Sequence, residues 1–208
     1  DMNGNASVSD NTATESGGGV YVGGSESTFT MNGNASITDN TAKKGGGVGV
    51  YSGATFEMNG NASITKNTAK KDSQNNGGNG GGVYMGGGKF TMNGNASITD
   101  NKANQGGGVF ASAGTFEMNG TASVSGNTTT DDGGGVYMGG GKFTMNGNAS
   151  VKNNKTADTT YGGGVFVDYN GTFTVSGSVT VKENAKNSTA NNVYLVSRSN
   201  PIIIGKGG

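Results

Sequence analysis

The stretch FTMNGNASITDN at residues 29–40 returns as FEMNGNASITKN at 56–67, FTMNGNASITDN at 90–101, FEMNGTASVSGN at 116–127 and FTMNGNASVKNN at 143–154. Most of its letters are small and polar, yet Phe, Met, Ala and Ile or Val always fill the same slots. A phrase returning at a near-fixed interval is the mark of a repeat architecture. The leading aromatics Phe29, Phe56, Phe90, Phe116, Phe143 and Phe173 stand 27, 34, 26, 27 and 30 residues apart. DMNGNASVSDN at 1–11 is the same phrase without its Phe, which brings the copies to seven. The chain thus reads as a segment of a longer array, with targeting and anchoring signals expected elsewhere.

Within each copy, three short runs alternate apolar with small or polar residues; in the second copy they are 29–31, 35–38 and 48–50. Period two is the period of a strand with one face in and one face out. Three such strands per repeat, with turns between, make one coil of a parallel β-solenoid, and the fold expected is all-β with about seven coils. A helical solenoid does not fit, because Gly, Asn and Thr are poor helix formers and no 3.6-residue period appears.

Stacked coils put Phe29 on Phe56 and Phe90, Met31 on Met58 and Met92, and Ile37 on Ile64 and Ile98. Val20, Val48, Val83, Val109, Val136, Val165 and Val193 form a further column. Gly4, Gly33, Gly60, Gly94, Gly120, Gly147 and Gly177 share one corner, where Asn-Gly suits a positive φ. Asn11, Asn40, Asn67, Asn101, Asn127, Asn154 and Asn184 end every phrase. A carboxamide both donates and accepts, so this column predicts a ladder linking coils at the strand spacing of about 4.8 Å.

Composition narrows the function classes. The chain has 208 residues, 30% of them hydrophobic, with 43 Gly and a single Pro. Glycine without a three-residue period excludes collagen. Lys plus Arg number 14 and Asp plus Glu 14, so no net charge favours nucleic acid or an anionic membrane. No apolar run reaches the roughly 18 residues needed to span a bilayer. Cys and His are both absent, which removes disulfides, thiolate nucleophiles and the commonest metal ligand. No cofactor and no metal are expected.

FTMN at 29–32 alternating with GGGV at 45–48 resembles the chlamydial polymorphic outer-membrane protein repeat, a Phe-x-x-Asn motif coupled to a Gly-Gly-apolar motif. The resemblance runs along nearly the whole chain. It implies a right-handed parallel β-helix displayed outside the cell as an adhesin-like segment, with host proteins or glycans as partners. Ser176 departs from the pattern where Asn is expected, and so do Asn191 and Asn192 where Gly-Gly is expected. These and Pro201–Ile204 mark 191–208 as an irregular last coil or capping segment.

Several residue sets invite a chemical reading. Asp10, Asp39, Lys66, Asp100, Gly126, Asn153 and Glu183 occupy one outward column. Asp10 with Asp39 suggests a carboxylate pair, whereas Lys66 between two Asp suggests compensating charge. Glu57, Lys89, Glu117 and Lys142 alternate in sign across coils and predict ion pairs. The glycine runs, such as 80–82, lack a following Lys-Ser/Thr and read as tight corners rather than a phosphate loop. Tyr21, Tyr84, Phe110, Tyr137, Phe166 and Tyr194 form an outward aromatic column, which suits either stacking on a partner or stiffening of the sheet.

Coil length varies between the phrase-ending Asn and GGGV, and the longest version is AKKDSQNNGGN at 69–79. Insertions in a solenoid emerge on one edge. That edge, with Lys70, Lys71 and Asp72 at its most protruding point, is the expected contact surface, supplemented by Tyr84, Phe110 and Tyr137. Removing 71–78 is expected to leave the core columns untouched. Two other classes remain open: ice binding through the hydroxyl array Ser36, Thr38, Ser63, Thr65, Ser97 and Thr99, and a carbohydrate-active β-helix enzyme.

Overall fold

The computed structural model describes residues 1–157, 161–197 and 202–205. The chain is a right-handed parallel β-helix of about seven coils, with no helix among the described residues. Equivalent strands of successive coils pair in parallel. Ser7–Ser9, Ser36–Thr38, Ser63–Thr65, Ser97–Thr99, Ser123–Ser125, Ser150–Lys152 and Thr180–Lys182 form one sheet, in that order.

The other two walls differ from the sequence expectation. The Phe-x-Met and Val-x-Val runs are not separate walls. They share one long sheet, and from the third coil onward they fuse into single strands such as Val83–Met92, Val109–Met118 and Val136–Met145. Glycines between the two runs allow this, because register shifts after Met85 and after Met138 absorb the unequal segment lengths. The third wall consists of two-residue strands directly after the ladder Asn, Thr41–Ala42, Thr68–Ala69, Lys102–Ala103, Thr128–Thr129, Lys155–Thr156 and Ala185–Lys186, with Thr189–Ala190 added antiparallel at its end. Two residues are too few to show a period, so the sequence pattern conceals this wall.

The core columns are as expected. Phe29 pairs with Phe56, Phe56 with Phe90, Phe90 with Phe116, Phe116 with Phe143, and Phe143 with Phe173. Their rings stack at 4.7–5.4 Å between centroids, close to the strand spacing itself. Met31, Met58, Met92, Met118 and Met145 are buried beside them, as are Ile37, Ile64, Ile98, Val124 and Val151 on the opposite wall. Each fully buried large side chain contributes about 1.5–3 kcal/mol, which offsets the ordering of a glycine-rich backbone only because neighbouring coils cover both sides.

Glycine before each Val-x-Val run is a packing requirement. A Cβ on Gly47 would lie 2.7 Å from the Gly82 carbonyl oxygen and 2.9 Å from Ile64 Cγ2. At the C-terminal end, Ile202–Ile204 pairs in parallel with Phe173, Thr174 and Val175, beginning another turn. Arg198 and Pro201 lie outside the described residues.

Candidate functional site

The scaffold behind any contact surface is set by asparagine. The Asn11 backbone N–H donates to Asn40 Oδ1, Asn40 to Asn67, Asn67 to Asn101, Asn101 to Asn127, Asn127 to Asn154 and Asn154 to Asn184, at 2.9–3.0 Å. Each Nδ2 donates to the same Oδ1 at 2.9–3.0 Å. Asn40, Asn67, Asn101, Asn127 and Asn154 are completely buried. A buried carboxamide must be paired to be tolerated, and here the pairing runs the length of the solenoid.

Two exposed or half-buried ladders flank the NGN corner. Asn32 Nδ2 donates to Asn3 Oδ1, Asn59 to Asn32, Asn93 to Asn59, Asn119 to Asn93 and Asn146 to Asn119, at 2.9–3.0 Å. Asn34, Asn61 and Asn95 repeat the pattern from Asn5 at 3.0–3.1 Å. These corner ladders donate toward the N-terminal coil, whereas the buried ladder donates toward the C-terminal one. The glycine between them has φ of +63° to +85° in every copy, from Gly4 to Gly177.

In the last coil, Asn191 and Asn192, which break the Gly-Gly pattern, act as side-chain acceptors. Asn192 Oδ1 accepts from the Asn184 N–H at 3.1 Å and from its Nδ2 at 3.2 Å, closing the buried ladder. Asn191 Oδ1 accepts from the Gly163 N–H at 3.0 Å. Side-chain acceptors from this last coil thus serve the Asn184 and Gly163 donors.

The outward column is a backbone feature before it is a charge feature. Asp10, Asp39, Lys66, Asp100, Gly126, Asn153 and Glu183 all have φ between +56° and +68°. Asp, Asn and Gly are the residues that enter this region at least cost, and Lys66 and Glu183 are the exceptions. No ion pair joins Lys66 to either Asp among the described residues. Lys89 meets Glu117 at 3.4 Å, the one expected pair of that set the structure contains.

The aromatic column is covered rather than displayed. Tyr84 and Phe110 are only 8% exposed and Phe166 6%, while Tyr21 at the N-terminal end is 61% exposed. Gly49 leaves a gap opposite Tyr21 and Tyr84, and the Tyr51 ring fills it at 5.0 and 5.7 Å. The stack continues through Phe110, Tyr137, Phe166 and Tyr194 at 4.7–5.6 Å. Rings above and below shield each face. Burial pushes the Tyr137 hydroxyl well above its ordinary pKa, helped by its hydrogen bond to Asp168 at 3.0 Å. Tyr84 and Phe110 therefore stiffen the sheet and offer little to a partner, and Tyr137 is half-buried.

The loop edge is better ordered than its composition suggests. Asp72 does not protrude. Its carboxylate meets Lys43 Nζ at 2.9 Å, and the same ammonium meets Glu15 at 2.7 Å. Lys43 thus bridges three coils. Asp72 Oδ1 also accepts from the N–H groups of Gln74 and Asn76, both at 2.9 Å. The Lys43 contact first, and the backbone donor at Asn76 after it, hold the carboxyl at about 2 instead of 3.8. Glu15 and Asp72 together raise the Lys43 ammonium above 10.5.

Lys71 and Gly77 bridge antiparallel, making 71–77 a short hairpin whose exposed tip is 73–76. Gly78 belongs to the coil, since its N–H donates to the Lys43 carbonyl at 2.7 Å and its own carbonyl accepts from the Asn104 N–H at 2.7 Å. Excising 71–78 would therefore break inter-coil hydrogen bonds, although it touches no core column. Lys70 and Lys71 are exposed and have no ion-pair partner among the described residues. Between the hairpin and the preceding coils lies an open cleft of about 310 Å³, lined by Ala13, Thr14, Glu15, Thr41, Ala42, Lys43, Lys70, Lys71 and Asp72.

Compared with protein-family models, with curated proteins and with solved structures, the chain has no match.

Proposed function

We propose that this chain is a non-enzymatic, extracellular display segment of adhesin type, whose partner contact lies on the loop edge. The observation that carries this reading is the contrast between the edge and everything else. Three walls repeat almost without change, held by asparagine ladders and two aromatic stacks, while length variation gathers where the hairpin at 71–77 emerges. A loop fixed to a rigid frame is where recognition is most readily built. The resemblance to the polymorphic outer-membrane repeat supports placement at a cell surface.

The test is a binding screen of the immobilised chain against host matrix proteins and glycans. It is run beside a variant in which residues 72–76 are replaced by Gly-Gly, leaving Gly78 in place. A partner held by the parent and lost by the variant is the expected outcome. Partners bound equally by both would move the contact off this edge, and no partner at all would sink the adhesive reading.

A second reading rests on the Ser/Thr sheet. Ser36 Oγ donates to Ser7 Oγ at 3.1 Å and Thr99 Oγ1 to Thr65 Oγ1 at 3.1 Å, which supports a hydroxyl face, although Thr38 Oγ1 donates to Asp39 instead. Lys152 and Lys182 interrupt it toward the C-terminal end. Thermal hysteresis in a freezing assay would favour water ordering over display.

A further inference from the structure

We propose that the cleft beneath the hairpin binds a saccharide that carries a carboxylate, with Lys70 and Lys71 receiving the carboxylate. This deepens the display reading and rests on it. The cleft volume of about 310 Å³ falls at the lower end of the range for small-molecule sites, about 300–1,000 Å³. Its walls come from three successive coils, so its shape is set by the solenoid rather than by one loop.

The chemistry is divided across it. Ala13 supplies a small apolar surface on which a sugar ring can rest. Thr14 and Thr41 supply hydroxyls that both donate and accept, as a polyol requires. The far wall is the Glu15–Lys43–Asp72 ion triad, in which the one cation is already held by two carboxylates. Those carboxylates accept hydrogen bonds from sugar hydroxyls and repel a second anion. That leaves Lys70 and Lys71 as the uncommitted charges of the cleft. They are adjacent, exposed and of one sign. A ligand that is anionic at one end and hydroxylated at the other satisfies both sides. A purely anionic ligand meets Glu15 and Asp72 unfavourably, and a neutral one leaves the two lysines unused.

The geometry also orders the subsite. The Lys70 N–H donates to the Ala42 carbonyl at 2.9 Å, which fixes the backbone beneath the first ammonium. The Lys71–Gly77 bridge closes the hairpin directly behind the second. Both lysines thus line the cleft from a constrained backbone.

The test titrates the chain, by two-dimensional NMR, with a glucuronate-terminated disaccharide, its neutral glucose-terminated counterpart and a short oligo-glutamate peptide. The acidic sugar is expected to shift the amide signals of Thr14, Thr41, Ala42 and Lys71 selectively. K70Q/K71Q should weaken its binding by roughly tenfold, the effect of losing charge-assisted hydrogen bonds. K142Q, which removes a lysine from another wall, should leave it unchanged. Raising salt so that the screening length falls from about 30 Å to about 8 Å should weaken binding as well.

Equal response to the neutral sugar, no loss in K70Q/K71Q, or shifts confined to other coils would each overturn the proposal. A response to the peptide without one to the acidic sugar would overturn the saccharide assignment. None of these results would touch the display reading, which fails only if the protein and glycan screen finds no contact on the loop edge.

Discussion

Asn67 serves two neighbours at once. Its Oδ1 accepts from the N–H and Nδ2 of Asn40, while its own N–H and Nδ2 donate to Asn101 Oδ1. Nδ2 also reaches the Ile37 and Thr65 carbonyls at 3.0 Å. Asn67→Leu is of similar size, yet it strands the buried Asn40 N–H and takes the Nδ2 donor away from Asn101 Oδ1 and from the Ile37 and Thr65 carbonyls. Each stranded group costs about 1–3 kcal/mol, so the variant should lose roughly 3 kcal/mol or more in chemical denaturation. A loss below about 1 kcal/mol would mean that the ladder is ornamental. One position earlier the direction reverses. Lys66 holds φ at +56°, which costs an L-residue about 1–2 kcal/mol, and Gly126 occupies the same slot two coils on. Lys66→Gly should therefore stabilise the chain by roughly 0.5–1 kcal/mol once the extra freedom of glycine in the unfolded state is subtracted. The ladder was legible in the sequence because one letter recurs in a slot that only a donor-acceptor side chain fills. The positive-φ turn beside it was not, because Asp, Lys and Glu in one column present themselves first as charges.

At the scale of the element, the hairpin at 71–77 is held by Asp72, and this makes its order dependent on pH. The carboxyl sits at about 2 in the folded chain against an ordinary 3.8. A depressed carboxyl contributes fully above its unfolded value, and the contribution is lost as pH falls through the folded one. The Gln74 and Asn76 amides, which donate to that carboxylate, should hold constant chemical shifts from neutrality to about pH 4 and then move with a midpoint near 2. Lys43→Gln removes the cation that contributes most to the shift, so the midpoint should rise toward the ordinary value. A midpoint near 4 in the parent would show that the Lys43 contact does not form in solution. The position of this loop was legible from unequal repeat lengths, whereas its anchoring was not. Lys43 and Asp72 lie 29 residues apart in a segment rich in Asn and Gly, and only the coil geometry brings them together. Of the two readings that the aromatic column left open, the structure favours stiffening of the sheet. Alternation places Tyr84 and Phe110 on the outer face correctly, but stacking between coils, with Tyr51 standing in at Gly49, covers them.

Across the whole molecule, each coil touches only the coils before and after it, so stability is close to a sum of nearest-neighbour terms and a local lesion should stay local. Seven copies of one phrase made the solenoid legible. The C-terminal end was harder to read, because closing a ladder breaks the very pattern that reveals it. Asn192 stands where the repeat has glycine and gives the Asn184 N–H and Nδ2 their acceptor. Asn192→Ala removes that acceptor and leaves every other ladder step intact. Hydrogen exchange should then accelerate at Asn184 by roughly tenfold or more, the consequence of losing about 1.4 kcal/mol of local protection. The Asn67 and Asn101 amides, several coils away, should exchange as in the parent. Asn101→Ala, in the middle of the stack, should instead lower protection on both sides of the lesion, because its Oδ1 accepts from Asn67 and its Nδ2 donates to Asn127. If Asn192→Ala raised exchange uniformly from Asn40 to Asn184, the solenoid would open as one cooperative body, and Asn192 would be a keystone of the whole fold instead of the cap of one coil.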